Sequence, residues 1–425
     1  MINRLAEFLI RENPLICKAL RMTYPVVFLD EFQDITYPQF DLLLTAFDRC
    51  KTIFTAVGDE KQRIMVWAGA MPDAFTRFES EFDAQRIPLV SNWRSHEDLV
   101  RIQHVIASKI DSAAQEPQAR AKRLINGDVA AIWEFKDEGE ESDYLARWIK
   151  TEVEAGNIKP DDVAILVRQR ADDVENKLSQ AFQKNGLKLR NASRNLGEIA
   201  IQDLLGEDLT RMLLRLLRLG AVKKSPENWD AALQDLGFLE AVDSDDEAGQ
   251  RRLQQRLQKF VRVLRRKLSE RLKPLPCNAK EAACMVLNFI GAQVLRRAFP
   301  PYQRQADFDR VWQGFVELLK KCLMHAKTWS DALDEFEGRG QTALMTIHKS
   351  KGLEFHIMIL YGLDKQRWPS LKDNNTEDLK SFFVAFTRAK QRAFFTVCTE
   401  RGQPVDWIED LLSSAGVRRV SCPYL

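Results

Sequence analysis

No apolar run in this 425-residue sequence approaches the ~20 residues that a bilayer-spanning helix needs. The first residues, MINRLAEFLIRENP, mix acidic and basic side chains and hold no signal-peptide core. Cysteine is sparse. Cys17, Cys50, Cys277, Cys284, Cys322, Cys398 and Cys422 are odd in number, widely spaced and form no CxxC pair. That disfavours a zinc site, an iron–sulfur cluster or a disulfide framework, and leaves buried thiols of a reducing compartment as the expectation. Charge of one sign is missing too: Lys+Arg total 63 and Asp+Glu 61, a net charge of +2. Any polyanion must therefore be held by a local patch and not by global charge. No fixed-period repeat or low-complexity tract interrupts an ordinary globular composition, 45% apolar and 29% charged. The length suits roughly two or three domains. The chain reads as a soluble, cytoplasmic enzyme with no membrane part.

What is present is a set of short apolar runs ending in polar or Gly-containing turns: Val26–Leu29, Thr52–Val57, Ile87–Val90, Ala130–Phe135, Val163–Val167, Ala343–Ile347, Ile357–Tyr361 and Ala393–Cys398. Amphipathic stretches lie between many of them. Runs buried on both faces and separated by helices predict an α/β fold with parallel sheet. From Ile201 to Gly338 the pattern is instead helical and leucine-rich. Arg211–Leu219 reads as one helix. Arg251–Lys273 reads as another, with Leu253, Leu257, Val261, Leu264, Leu268 and Leu272 at three- and four-residue spacing, stopped by Pro274 and Pro276. The acidic stretches Asp137–Asp143 and Asp243–Glu247 read as solvated loops. The whole is an α/β domain interrupted by a helical insertion.

Chemistry concentrates at strand ends. PVVFLDEFQD places Asp30 and Glu31 just past a buried strand, where open α/β sheets line their ligand crevice. Two adjacent acids there need a cation or polar partner. Mg²⁺ held through Asp30, with Glu31 as base for an attacking water, is the natural chemistry; a solvated acidic turn is the plainer alternative for a bare Asp-Glu pair. The run TIFTAVGD leads into EKQRIMVWAGA. There Gln62 could sense a phosphate or orient water, and Trp67 could stack on a base, a contact of about 1–3 kcal/mol. Core packing is the alternative for an isolated tryptophan.

VVFLDEFQD, AVGDEKQRIMVWAGA and LVSNWRSHEDLV, followed by TALMTIHKSKGLEFHIMIL and EDLKSFFVAFTRAK, resemble in order motifs II to VI of UvrD/Rep/PcrA-type superfamily-one DNA helicases. The resemblance covers nearly the whole chain and is weakest over Ile201–Gly338. It implies two RecA-like parallel-sheet domains with ATP between them. Residues 1–85 would be a partial first domain, and 86–200 with 341–425 the second. Residues 201–340 would be a reduced helical insertion of the 2B type. By the same resemblance Asp30 binds Mg²⁺, Glu31 is the catalytic base and Gln62 links the γ-phosphate to DNA. Arg94 and Arg388 are the arginine fingers, whose forked fixed charge suits a transferring phosphoryl group. Trp93 stands where a tyrosine usually stacks near the adenine, and Glu354, after Gly352, reaches the ribose. Trp67, Thr346 and His348 lie at DNA-facing positions. Ala68 and Met65 depart from the family's arginine and tyrosine in motif III and weaken the implied DNA contacts.

One signature is absent. GxxxxGK[ST], whose backbone N–H groups and lysine cradle nucleotide phosphates, occurs nowhere; HKSKG belongs to motif V. A RecA-like sheet without its P-loop strand is expected to expose apolar edge and face, and the helix Ile2–Arg11 cannot replace that strand. The expectation is a fragment of a longer helicase, or a split helicase whose partner supplies the P-loop. An ATPase-inactive subunit that binds nucleic acid or protein is the alternative. Residues Arg251–Lys273 carry ten Lys/Arg and one acid, Glu270. They could track duplex phosphate, or pack as a solvated basic helix against acids such as Asp243–Glu247. The motor reading implies 3′-to-5′ movement on single-stranded DNA, in repair or antiphage defence.

Overall fold

The computed structural model describes residues 2–47, 52–373 and 375–421. Of these, residues up to 141 and from 350 onward form one compact unit, and residues 142–349 the other. Strands β1 (Val26–Leu29), β2 (Ile53–Ala56), β3 (Ala130–Phe135), β4 (Val163–Val167), β5 (Leu189–Asn191), β6 (Thr342–Thr346), β7 (Phe355–Leu360), β8 (Ala389–Cys398) and β9 (Arg418–Ser421) carry the architecture. In the first unit the strands β9-β3-β8-β7 pair in parallel in that order, and in the second β4-β6-β5 do. The α/β expectation therefore holds, and seven of the eight apolar runs fall on strands.

In the first unit, β1 and β2 pair in parallel, Val26 against Ile53 and Leu29 against Ala56, as a separate two-stranded sheet. One face rests on a cluster of Phe32, Phe40, Leu43, Met71, Ala74 and Phe78, joined by Leu29, Phe54 and Ala56. Aromatic edges set this packing, with Phe32–Phe78 and Phe54–Phe82 centroids 5.0 and 4.6 Å apart. The opposite face is open. Phe28 is 73% exposed, and Val26 and Ile53 are exposed beside it. The expectation of a strand buried on both faces is thus corrected for β1: alternate side chains of a two-stranded sheet need two covers, and here only one face has its own. The helix Ile2–Arg11 forms as expected and leaves Ile2, Leu5, Phe8 and Leu9 exposed.

Further corrections are local. Ile87–Val90 is no strand; Ile87 and Leu89 are exposed, and pairing begins at Ser91–Asn92 against Gln118–Ala119. Asp137–Asp143 is not a solvated loop, because a helix starts at Glu138 and buries Glu141. The thiols are only partly buried. Cys322 and Cys398 are buried, Cys17 and Cys284 half-buried and Cys277 exposed; Cys50 and Cys422 lie outside the described residues.

In the second unit, residues 201–337 contain helices and no strand among the described residues. The helix Asp208–Ala221 packs against Glu247–Glu270, and all six predicted apolar positions from Leu253 to Leu272 are buried. Gly220 permits the close approach, since a Cβ there would sit 2.8 Å from Leu264. The long helix begins earlier than expected because the Asp246 carboxylate caps it, accepting the Gly249 N–H at 2.9 Å. No helix among the described residues is long and apolar enough to cross a membrane.

The first unit also holds a buried ionic knot. Arg401 donates to Glu141 from both terminal nitrogens, one at 2.9 Å, to Asp364 at 2.8 Å and to Tyr361 at 3.1 Å. Burial opposes the guanidinium charge, but the Glu141 hydrogen bonds and charge outweigh it and raise the Arg401 pKa. Removing one partner strands the other's charge. Glu141→Ala is therefore expected to cost about 3–5 kcal/mol of unfolding free energy, measured by urea denaturation; a loss below about 1 kcal/mol would show that the knot is solvated.

Candidate functional site

Where β1 ends, the backbone turns sharply. Glu31 sits at φ +51°, a left-handed conformation costly for a residue with a Cβ. Asp30 stabilises the turn, its Oδ1 accepting the Glu31 N–H at 2.8 Å. Beneath lies the buried Gln33. Its amide donates to Glu31 Oε2 at 2.5 Å, and its Oε1 accepts the Asp59 N–H at 3.0 Å. Gln33 thus ties the end of β1 to the turn after β2. It needs Gly58, where a Cβ would meet Gln33 Oε1 at 2.2 Å.

Asp59 then orients Gln62. The Gln62 amide donates to Asp59 Oδ2 at 3.2 Å, leaving its Oε1 to accept from Arg388 Nη2 at 3.0 Å. Arg388 precedes β8 and is 2% exposed. Its Nε donates to the Val384 carbonyl at 3.0 Å. Burial, and then the neighbouring Arg94 charge, push the guanidinium down to about 10, against the pull of Glu31, Glu354 and Asp59. Five sequence-predicted residues thus converge in one unit: Glu31, Gln62, Arg94, Glu354 and Arg388. Asp30 adjoins them.

Arg94 reaches the same place, its Nε on Glu354 Oε1 at 2.6 Å and its Nη1 on the Thr387 carbonyl at 2.9 Å. Lys390 takes the other Glu354 oxygen at 3.1 Å. Burial raises the Glu354 pKa, but hydrogen bonds from Arg94 and Lys390 outweigh it and hold the carboxyl below its ordinary value. Gly352 adopts φ +80°, which suits glycine. Trp93 and Trp67 are 76% and 75% exposed, so core packing is excluded for both. Thr346 and His348 belong to the other unit. Thr346 donates its N–H to Ser193 Oγ at 3.0 Å, and His348 is exposed on the short helix Ile347–Ser350.

Sequence reasoning missed Gln33, Asp34, Gly58 and Lys351. All lie within quoted motifs, but their service is to neighbouring side chains, which no linear spacing reveals. Lys351 Nζ stands 3.0 Å from Glu31 Oε2 and also contacts Asp34.

Asp30 and Glu31 are exposed. Among the described residues no group of three or more His, Cys, Asp or Glu could hold a metal ion. A closed protein cage is therefore not built here. Two exposed carboxylates, each with one oxygen already engaged, do fit Mg²⁺, which keeps several waters and takes one or two carboxylates plus phosphate oxygens.

Residues 87–196 and 214–400 match the family model for the UvrD-like helicase C-terminal domain, and residues 1–83 that for the UvrD/REP helicase N-terminal domain. The chain belongs to the UvrD-like helicases. It is 25% identical over 420 residues to a probable DNA helicase II homolog of Mycoplasma capricolum, and 23% identical over 423 residues to the ATP-dependent DNA helicase PcrA of Staphylococcus aureus. Each match covers 91% of this chain and 57% of the relative. The PcrA of Staphylococcus epidermidis is 22% identical, with 89% and 55% covered. The chain thus spans little more than half the length of these relatives.

A buried guanidinium is costly to desolvate, a cost that function can retain. Arg388→Met is expected to leave the melting temperature unchanged or raise it. A fall of more than about 5 °C in a thermal melt would show that the guanidinium is a structural brace.

Proposed function

We propose that this chain is the greater part of an ATP-dependent DNA translocase. It would hydrolyse Mg²⁺–ATP at the Asp30–Glu31 turn and move 3′ to 5′ on single-stranded DNA. The observation that carries this is the Gln62–Arg388 hydrogen bond, which joins motif III to motif VI beside the acids. Asp30 would hold Mg²⁺. Glu31 would accept the proton of the water attacking the γ-phosphorus, as the bond to the ADP oxygen breaks. Arg94 and Arg388 would neutralise charge on the transferring group, and Gln62 would report its presence toward Trp67. Glu354 would reach the ribose beside Gly352, and Trp93 would stack on the adenine. Thr346 and His348 would contact DNA.

The domain reading goes with this function: a partial first RecA-like domain over 1–85, a second over 86–200 and 341–425, and an insertion over 201–340. No residue of the sequence supplies a P-loop lysine. The phosphate cradle would come from a further polypeptide segment, in the same chain or a partner. The open β1–β2 face is a surface that a further segment could cover, and the sheet could continue at its edges. On the insertion, Arg251 and Arg256 pair with Glu247 and Glu240, whereas Lys259, Arg266 and Lys273 are exposed. That favours a partial, salt-sensitive phosphate contact. Cytoplasmic DNA repair or antiphage defence are the settings proposed.

The alternative, an ATPase-inactive subunit that binds DNA or protein, draws on the same missing lysine. Hydrolysis separates the two. Joined to a P-loop-bearing segment, the chain is expected to show DNA-stimulated ATP hydrolysis that Glu31→Gln lowers by about 10²–10⁴-fold. Hydrolysis indifferent to Glu31→Gln, or none at all with DNA bound, would favour the binding subunit.

A further inference from the structure

Lys351 forms an ion pair with Glu31, the proposed catalytic base, and none of the roles above uses it. Its side chain is 16% exposed, with Nζ 3.0 Å from Glu31 Oε2 and in contact with Asp34 Oδ2. The other Asp34 oxygen is buried and has no hydrogen-bond partner. Asp34 is therefore committed to one donor, and that donor is the ammonium. The groups facing Lys351 are thus Glu31 and Asp34, with the buried Gln33 amide donating to the same Glu31 oxygen. An ammonium and a hydrated divalent cation seek the same carboxylate oxygens, and two like charges brought to one carboxylate pair repel each other.

We infer that Lys351 is a positioning residue that stands in for a metal ion: anchored on Asp34, its ammonium neutralises Glu31 and competes with a divalent cation for the Asp30–Glu31 turn. The inference rests on the reading of these acids as a metal and water site. When the cation enters with its phosphates, Lys351 withdraws onto Asp34 and the Glu31 oxygen becomes free to accept a proton. The chain thus carries a built-in resting partner for its base. Glu31 is held in its left-handed turn from both sides, by Gln33 and by Lys351, before any nucleotide arrives.

The test is Mn²⁺ titration of the full 425-residue chain, without nucleotide or DNA, followed by water-proton relaxation. Lys351→Gln, which can still donate to Asp34, is expected to bind Mn²⁺ about tenfold more tightly than the unaltered chain. Lys351→Arg restores the charge and is expected to return the affinity to the original value. The gain must vanish in Lys351→Gln combined with Glu31→Gln. Lys351→Met serves as a second neutral variant, and a thermal melt identifies any variant that fails to fold. An unchanged affinity in both folded neutral variants, including no detectable binding, overturns the inference. So does a gain that survives Glu31→Gln. Because no hydrolysis is read, a negative result leaves the motor proposal standing, and an inert ATPase leaves this titration unaffected.

Discussion

A buried guanidinium shared between distant motifs is the constraint on which the site depends. Arg388 lies 326 residues from Gln62 in the chain, and their side chains meet at 3.0 Å. Burial alone would expel such a charge. It stays because the Val384 carbonyl, Thr387 and Gln62 accept its hydrogens, while Glu31, Glu354 and Asp59 surround it with opposite charge. Asp59 fixes Gln62 by accepting from its amide, so that only the carbonyl is left to face the arginine. Asp59 is in turn tied through Gln33 to the Glu31 turn. Motifs II, III and VI are thereby linked through side chains.

The same unit is asymmetric in its burial. The β1–β2 sheet has a complete aromatic floor and an open apolar roof. Exposed Phe28, Val26 and Ile53 lie on the two strands, the first of which leads into the turn that bears the acids. An open sheet edge and a flat apolar face favour pairing with further strand and helix. The open face and the Asp30–Glu31 turn belong to the same small sheet. By contrast, the interior strands β3 and β8 are buried on both faces, and the Arg401 knot closes their end of the unit.

Much of this was legible in the sequence. The runs Val26–Leu29, Ala130–Phe135 and Val163–Val167 coincide with β1, β3 and β4, because short, largely apolar runs bounded by polar turns leave few alternatives. The leucine stripe from Leu253 to Leu272 was equally plain, its period matching a single buried helix face. The strands β5 and β9 were not visible. Leu189–Asn191 is short and half polar, and Arg418–Ser421 gains its place from ion pairs of Arg419 with Glu134 and Glu409. Ile87–Val90 misled because apolarity marks a surface as readily as a core when little covers it. At the site, the family resemblance pointed to Glu31, Gln62, Arg94, Glu354 and Arg388, which the structure brings together. It could not find Lys351 or Gln33, whose partners are set by the turn geometry of Glu31.

The most direct measurement is a double-mutant cycle on unfolding free energy, pairing Gln62→Ala with Arg388→Met. If the two motifs meet as described, the cost of Gln62→Ala is smaller in the Arg388→Met background than in the unaltered chain, with a coupling of about 1–3 kcal/mol expected of a hydrogen bond to a buried charge. Additive effects, within about 0.3 kcal/mol, would mean that Gln62 and Arg388 do not share a site, and the account of convergence would fall.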